Sequence, residues 1–314
     1  MQKIVILTTG GTIAGVNTGK GEEYKAGVLS PEEVLAPVKS KLLELELDFS
    51  IETHEVCSID SRNVNETIWK KLYQTLQEFL KNDEVEGIVI THGTDTLAET
   101  AFFLEYTLKT EKPIILTGAM RPATALSADG PDNLFRAILV ASSPLSKNRG
   151  VLVVMNNEIH GAMDVIKIHK NNVAAFKSPN MGPVGIVVND HAIFFVRDAK
   201  LEHKIYDFNM NMTFMYVPII TAFAGDSGEL IFSAVKHGAK GLVYAGFGAG
   251  TYPDAVKNAL KYAKDHNVKV MIAGIVPEGY IESTDKEYLS AGFLSPQKAR
   301  ILLMLEIGSG NIHN

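Results

Sequence analysis

Residues 3–15 read KIVILTTGGTIAG: an apolar run passes directly into two threonines, two glycines and a third threonine. Within it, KIVILT (3–8) lacks the alternation of a half-exposed strand, so it reads as a parallel strand covered on both faces. EGIVIT (86–91), PIILTG (113–118) and VLVVM (151–155) repeat the pattern, and amphipathic helices fill the gaps. Ser30-Pro31-Glu32-Glu33 has an N-cap hydroxyl, a proline at the first helical position and a glutamate at the third, the signature of a capping box. Ile68, Leu72, Leu76 and Phe79 step round a second helix at the 3.6-residue period. Near residue 190 the rhythm loosens into a closing strand or hairpin and a linker, then resumes at VPIITAF and continues to a last helix opened by Ser295-Pro296. The predicted fold is α/β. A larger N-terminal domain (1–196) has a mostly parallel sheet flanked by helices, 197–214 form a linker, and 215–314 form a smaller α/β domain with a parallel sheet.

Composition narrows the function. The chain has 314 residues, room for about two domains, and is 46% apolar and 21% charged, as expected of a globular protein with substantial cores. A net charge of −6 leaves no basic footprint for a phosphate backbone, so nucleic acid is not expected as a partner. Cys57 is the single cysteine, which excludes an intrachain disulfide or a Cys-based zinc site and reads as a small core residue. The histidines contain no HExxH, and neither metal nor cofactor is predicted. No apolar run is long enough to span a membrane, and the first strand starts too early to leave room for a signal peptide; the expectation is a cytoplasmic chain, or a secreted one already trimmed.

Polar clusters follow the strands. Thr12 follows the first, Ser61 the second (IETHEVCSIDSR), Thr94 and Asp95 follow EGIVIT, and Met120-Arg121 follows PIILTG. In an open parallel sheet these carboxyl ends line one edge, outside which ligands bind. GGTIAG is not GxGxxG, and NTGKGE lacks the upstream glycine and the Ser/Thr of a phosphate-binding loop, so a nucleotide site is not supported. A glycine pair instead brings the backbone close to a ligand with its N–H groups exposed. Thr12 then reads either as a helix N-cap or as a nucleophile, and Thr94-Asp95 in THGTDTLAET either as a cap or as a second functional element.

Taken together, TTGGTIAG, THGTDTLAET, TGAMRP with SADGPDNL, RGVLVVMN and SPQKAR resemble the bacterial-type L-asparaginase (asparaginase/glutaminase) family over nearly the whole chain. The resemblance implies an amidohydrolase that converts L-asparagine to L-aspartate and ammonia through a threonine ester, without cofactor. Thr12 resembles the family nucleophile, Tyr24 its assisting tyrosine on a lid, and Thr94, Asp95 and Lys167 the companion cluster. Ser61 and Asp95 resemble the groups that hold the substrate's α-carboxylate and α-ammonium, and Arg62 and Thr94 are expected to bind substrate with them. A carboxylate suits an ammonium, a hydroxyl suits a carboxylate, and a lysine desolvated beside Thr94 suits proton transfer. Which threonine forms the ester, and which group is its base, stays open at this level.

The resemblance further implies a homotetramer whose sites are completed by a neighbouring subunit. It also brings in three alternatives: a broad-specificity glutaminase-asparaginase, an RNA-linked amidotransferase subunit and a non-catalytic amino-acid sensor. Arg62 stands where many relatives carry a shorter polar or acidic residue, Thr251 where they commonly have asparagine, and IAGIVPEGYIES lacks their serine-arginine run. Glu282 and Tyr280 are the residues there that could face a substrate ammonium. Arg121 reads as a brace for nearby carbonyls, His92 as a non-catalytic neighbour, and His160 and His169 as surface residues.

Overall fold

The four apolar strands and the helices between them assemble as the patterning requires. The computed structural model describes residues 2–19, 24–45, 48–196, 203–282 and 287–310. Its contacts divide the chain into two units, Met1–His203 and Lys204–Asn314. Of the expected linker, 197–202 lie outside the described residues, and 203–218 carry no helix or strand.

The first unit runs β1 (Lys3–Gly10), a short pair β2 (Val16–Asn17) and β3 (Tyr24–Lys25), α1 (Pro31–Glu44), β4 (Ser50–Ile59), α2 (Glu66–Leu80), β5 (Val85–Thr91), α3 (Leu97–Thr107), β6 (Ile114–Thr117) and α4 (Gly130–Ser142). It continues through β7 (Val151–Met155), β8 (Glu158–Gly161), a second pair β9 (Ile166–Lys167) and β10 (Phe176–Lys177), then β11 (Gly185–Val188) and β12 (His191–Phe194). The main sheet has the order β12-β11-β8-β7-β6-β5-β1-β4. Strands β4, β1, β5, β6 and β7 are mutually parallel. Strands β8, β11 and β12 add an antiparallel margin. β1 extends two residues past the apolar run, because after a shift in register Gly10 still pairs with Ile59 of β4.

Side-chain alternation along β1 sends Ile4 and Ile6 to one face, where they join Val34, Val38 and Leu42 of α1 and Leu134, Ile138 and Ala141 of α4 in one buried cluster. The α1 start has the predicted reciprocal cap: Glu33 N donates to Ser30 Oγ, and Ser30 N donates to the Glu33 carboxylate. Of the residues that set the α2 period, Leu72 and Leu76 are fully buried. Trp69 stacks on Phe103 of α3 with ring centroids 4.8 Å apart.

One expectation is corrected. His160, read as a surface residue, is fully buried. It lies on β8, which is flanked by β7 and β11 and is therefore interior to the sheet. Its Nδ1 lies 3.0 Å from Ser178 Oγ. His169 is exposed.

The second unit is a parallel sheet, β13 (Ile219–Thr221), β14 (Gly241–Gly246), β15 (Lys269–Gly274) and β16 (Leu289–Ser290), adjacent in that order. Helices α5 (Glu229–Lys236) and α6 (Asp254–Asp265) bury Ile231, Val256, Ala259 and Leu260 against Leu242, Tyr244 and Ile272. The final helix α7 (Pro296–Gly308) starts at the Ser295 cap. Among the described residues, no helix is long and apolar enough to cross a membrane.

Candidate active site

The order of the main sheet reverses at β1: the chain leaves it for β4 on one side and then returns to β5 on the other. That reversal opens a crevice at the strands' carboxyl ends. Two glycine turns meet there. Gly11 has φ 79° and ψ −171°, a region only glycine populates readily. A Cβ on Gly11 would collide with the backbone of Gly93, so the loops after β1 and β5 pack main chain to main chain. Gly11→Ala is expected to cost at least about 2 kcal/mol, from backbone strain plus this collision. Thermal unfolding beside the parent measures it, and an unchanged midpoint contradicts the close approach.

Thr12 begins a 3₁₀ turn, Thr12–Ala14, whose N-cap is Gly11 with no side-chain capping bond. The cap reading of Thr12 therefore does not hold. Nor do Thr94 and Asp95 cap α3, since its N-cap is Thr96, again without a side-chain cap bond. Thr96 Oγ1 instead donates to the Ser61 carbonyl at 2.9 Å, tying the turn after β5 to the one after β4.

Lys167, on the β9–β10 hairpin, donates to Thr94 Oγ1 at 2.9 Å and to Asp95 Oδ1 at 2.7 Å. Its side chain is only 21% exposed, against 49% for Asp95. Thr12, Ser61, Thr94, Asp95 and Lys167 all line one cleft of about 480 Å³. The cleft thus gathers residues from the ends of β1, β4 and β5 and from the hairpin, and Gly11, Met120 and Arg121 complete its floor and rim. Arg62 does not line it: its guanidinium, 74% exposed, pairs with Asp60 at 2.7 Å. The Tyr24 backbone pairs with Asn17, and its side chain lies outside what the structure describes.

Several lining residues escaped the sequence reading: Asn17, Asp60, Lys170 and Asn171. Asp60 precedes a 3₁₀ turn, Ser61–Asn63, and its carboxylate accepts from Arg62 N at 3.0 Å, an Asx cap that the sequence Asp-Ser could have signalled. The Arg62 hydrogen bond holds the Asp60 carboxyl below its ordinary range. Asp129 is the brace of the third loop: it accepts from Met120 N at 3.0 Å, Arg121 N at 2.9 Å and Asn133 Nδ2 at 3.2 Å. Arg121 braces a carbonyl as expected, donating to Ser127 O at 2.9 Å.

His92 has no lone pair to offer a substrate. Its Nδ1–H donates to the Gly93 carbonyl at 2.8 Å, which fixes the tautomer. Its Nε2 then accepts from Thr100 Oγ1 at 3.1 Å, while that oxygen accepts from Trp69 Nε1 at 3.0 Å. Burial pushes the imidazole down to about 4, against the opposing pull of the Gly93 carbonyl. In the unfolded chain the same group takes a proton near 6.5, so the unfolded state binds more protons between the two values. Stability is therefore expected to fall by about 3 kcal/mol as pH drops from 6.5 through 4. Urea unfolding across that range measures it, and His92→Gln should flatten the slope; an identical slope in the variant would contradict the assignment.

In the second unit, Thr251 and Glu282 line a cavity of about 300 Å³ with Tyr252, Lys257 and Tyr288, beside the carboxyl ends of β14 and β15. Tyr280 is 67% exposed. Cys57 is half-buried, its thiol 3.6 Å from the Thr9 carbonyl and pushed up by burial. Among the described residues, no group of three or more His, Cys, Asp or Glu side chains could hold a metal ion.

The chain is similar to known proteins over most of its length. A solved structure titled as a probable cytoplasmic L-asparaginase from Campylobacter jejuni superposes with a TM-score of 0.90 at 36% identity, covering 98% of this chain and 95% of that one. L-asparaginase 2 of Bacillus subtilis is 39% identical over 99% of this chain and 84% of its own length. The glutaminase-asparaginase of Pseudomonas fluorescens biotype A is 36% identical over 98% and 86%. Residues 3–200 match the family described as Asparaginase, N-terminal, and 216–314 match the Glutaminase/Asparaginase C-terminal domain. With both halves matched and the threonine turns of β1 and β5 facing one cleft, the chain belongs to the asparaginase family.

Proposed function

We propose that this chain hydrolyses the side-chain amide of L-asparagine to L-aspartate and ammonia, with Thr12 as the nucleophile. The observation that carries the reading is the Lys167 ammonium held between Thr94 Oγ1 and Asp95 in the cleft that Thr12 also lines. The Thr12 oxygen bonds to the amide carbon, and a tetrahedral oxyanion develops. The C–N bond then breaks, and ammonia leaves with the proton that Thr12 gives up. Water next attacks the threonine ester, releasing aspartate and restoring the hydroxyl. Thr94 and Lys167 form the pair that moves protons in both halves.

Substrate binding follows from the remaining groups. Asp95 gives one carboxylate oxygen to Lys167 and keeps a second for the substrate's α-ammonium. The Ser61 hydroxyl holds the α-carboxylate. Tyr24 is the assisting lid residue by family resemblance. Release of ammonia from asparagine and glutamine, assayed side by side, tests the reading; release from neither contradicts it. Comparable turnover of both would favour the broad-specificity alternative, which the Pseudomonas relative supports. We read the assembly as a homotetramer with sites shared between subunits, Glu282 or Tyr280 being the neighbour's contribution. Hybrid activity after mixing Thr12→Ala with a variant at that residue tests it, and a fully active monomer contradicts it. The cytoplasmic reading draws support from the Campylobacter likeness, although a Haemophilus influenzae relative is named a probable periplasmic L-asparaginase. Cell fractionation decides between them.

A further inference from the structure

Two carboxylates line the cleft, Asp60 and Asp95, and each is held by a cation of different placement. Lys167, which holds Asp95, lines the cleft itself. Arg62, which holds Asp60, reaches in from outside: Nη2 donates to Asp60 Oδ2 at 2.7 Å, while its backbone N donates to Oδ1 at 3.0 Å. The Asp60 side chain is only 19% exposed, so its charge is partly shielded from water and acts at longer range than a surface carboxylate's. It sits one residue before Ser61, on the turn that presents the Ser61 hydroxyl.

We propose that Arg62 is a charge shield rather than a substrate contact: by pairing with Asp60 it cancels a negative charge beside the Ser61 subsite, and so sets selectivity for substrates with a free α-carboxylate. The inference rests on the reading of Ser61 given above. The pair is open to water on its Arg62 side, which is 74% exposed, and such pairs contribute little to stability. The pair's effect therefore falls on binding of an anion next to it. Without Arg62, the substrate's α-carboxylate would enter beside an uncompensated like charge, whereas the same substrate with that carboxyl esterified would meet no repulsion.

The test compares the full-length parent, Arg62→Gln and the double variant Arg62→Gln/Asp60→Asn. Each is assayed on L-asparagine and on L-asparagine α-methyl ester, with the ester measured as a competitor if it turns over too slowly. For Arg62→Gln, KM for L-asparagine should rise about three- to tenfold with kcat within about twofold, while the constant for the ester, which keeps its ammonium and lacks the carboxylate, does not rise. Raising the ionic strength should narrow the gap. Asn at position 60 still caps the turn, so the double variant should return KM toward the parent value. Equal losses on acid and ester, no rescue by Asp60→Asn, or an unchanged KM for the free acid would each overturn the proposal. Ser61→Ala separates the two readings. If it leaves both the free acid and the ester unaffected, the Ser61 subsite fails, whatever Arg62 does.

Discussion

Thr12→Ala is expected to leave a folded chain whose asparagine hydrolysis is lower by about four orders of magnitude or more, the scale seen when an attacking hydroxyl is removed from a preorganised site. Folding should survive because Thr12 is not the N-cap of its turn: Gly11 is, and the Gly15 amide donates to the Thr12 backbone carbonyl, which alanine retains. The side chain is buried at the cleft, but losing a hydroxyl and a methyl costs no more than about 1–2 kcal/mol. Thr12→Ser supplies the control, since it keeps the hydroxyl and should recover most of the lost rate. The measurement is kcat by ammonia release with circular dichroism alongside. A folded Thr12→Ala variant with near-parental turnover would remove Thr12 from the chemistry.

Lys167→Met should lower kcat by about 10²–10⁴, the span of a lost proton-transfer group. Methionine replaces the apolar stem of a side chain that is mostly buried, but not the donors to Thr94 Oγ1 and Asp95 Oδ1. Asp95 is half exposed, so water can solvate the carboxylate left behind and the fold should hold. Lys167→Arg distinguishes two roles. If Lys167 only neutralised Asp95, arginine would restore the rate, because it pairs well with carboxylates. If Lys167 moves protons, arginine should stay slow, because its guanidinium does not give up a proton in the working range. Unchanged turnover in a folded Lys167→Met would exclude Lys167 from the mechanism.

The parts of this molecule that were legible in sequence are those governed by local chemistry. The bare apolar runs of β5, β6 and β7 appear as parallel strands, and Ser30 and Ser295 cap helices through their own hydroxyls. Strand-end threonines, separated by roughly eighty residues of chain, share a cleft because parallel strands align their carboxyl ends. What stayed hidden depends on partners far along the chain. His160 follows an Asn156-Asn157 turn in which both residues have positive φ, a two-residue hairpin signal that pairs β8 with β7, while β11 on the other side makes β8 interior. Reading that turn would have put His160 on a paired strand, but its burial depends on the distant β11. Asp129 carries no motif of its own, and its role emerges only where the loop folds back onto the Met120 and Arg121 amides. The cap readings of Thr12 and Thr94 failed for a similar reason: Gly11 and Thr96 are the N-cap residues, which leaves Thr12 and Thr94 lining the cleft.

In the proposed mechanism the acyl group rests on Thr12, with Thr94 and Lys167 serving it. The direct measurement is mass spectrometry of the full-length protein quenched in acid during turnover of a slowly hydrolysed asparagine analogue, followed by digestion and peptide mapping. An acyl adduct is expected on the peptide containing Thr12 and absent from Thr12→Ala. An adduct confined to the peptide containing Thr94 would contradict it.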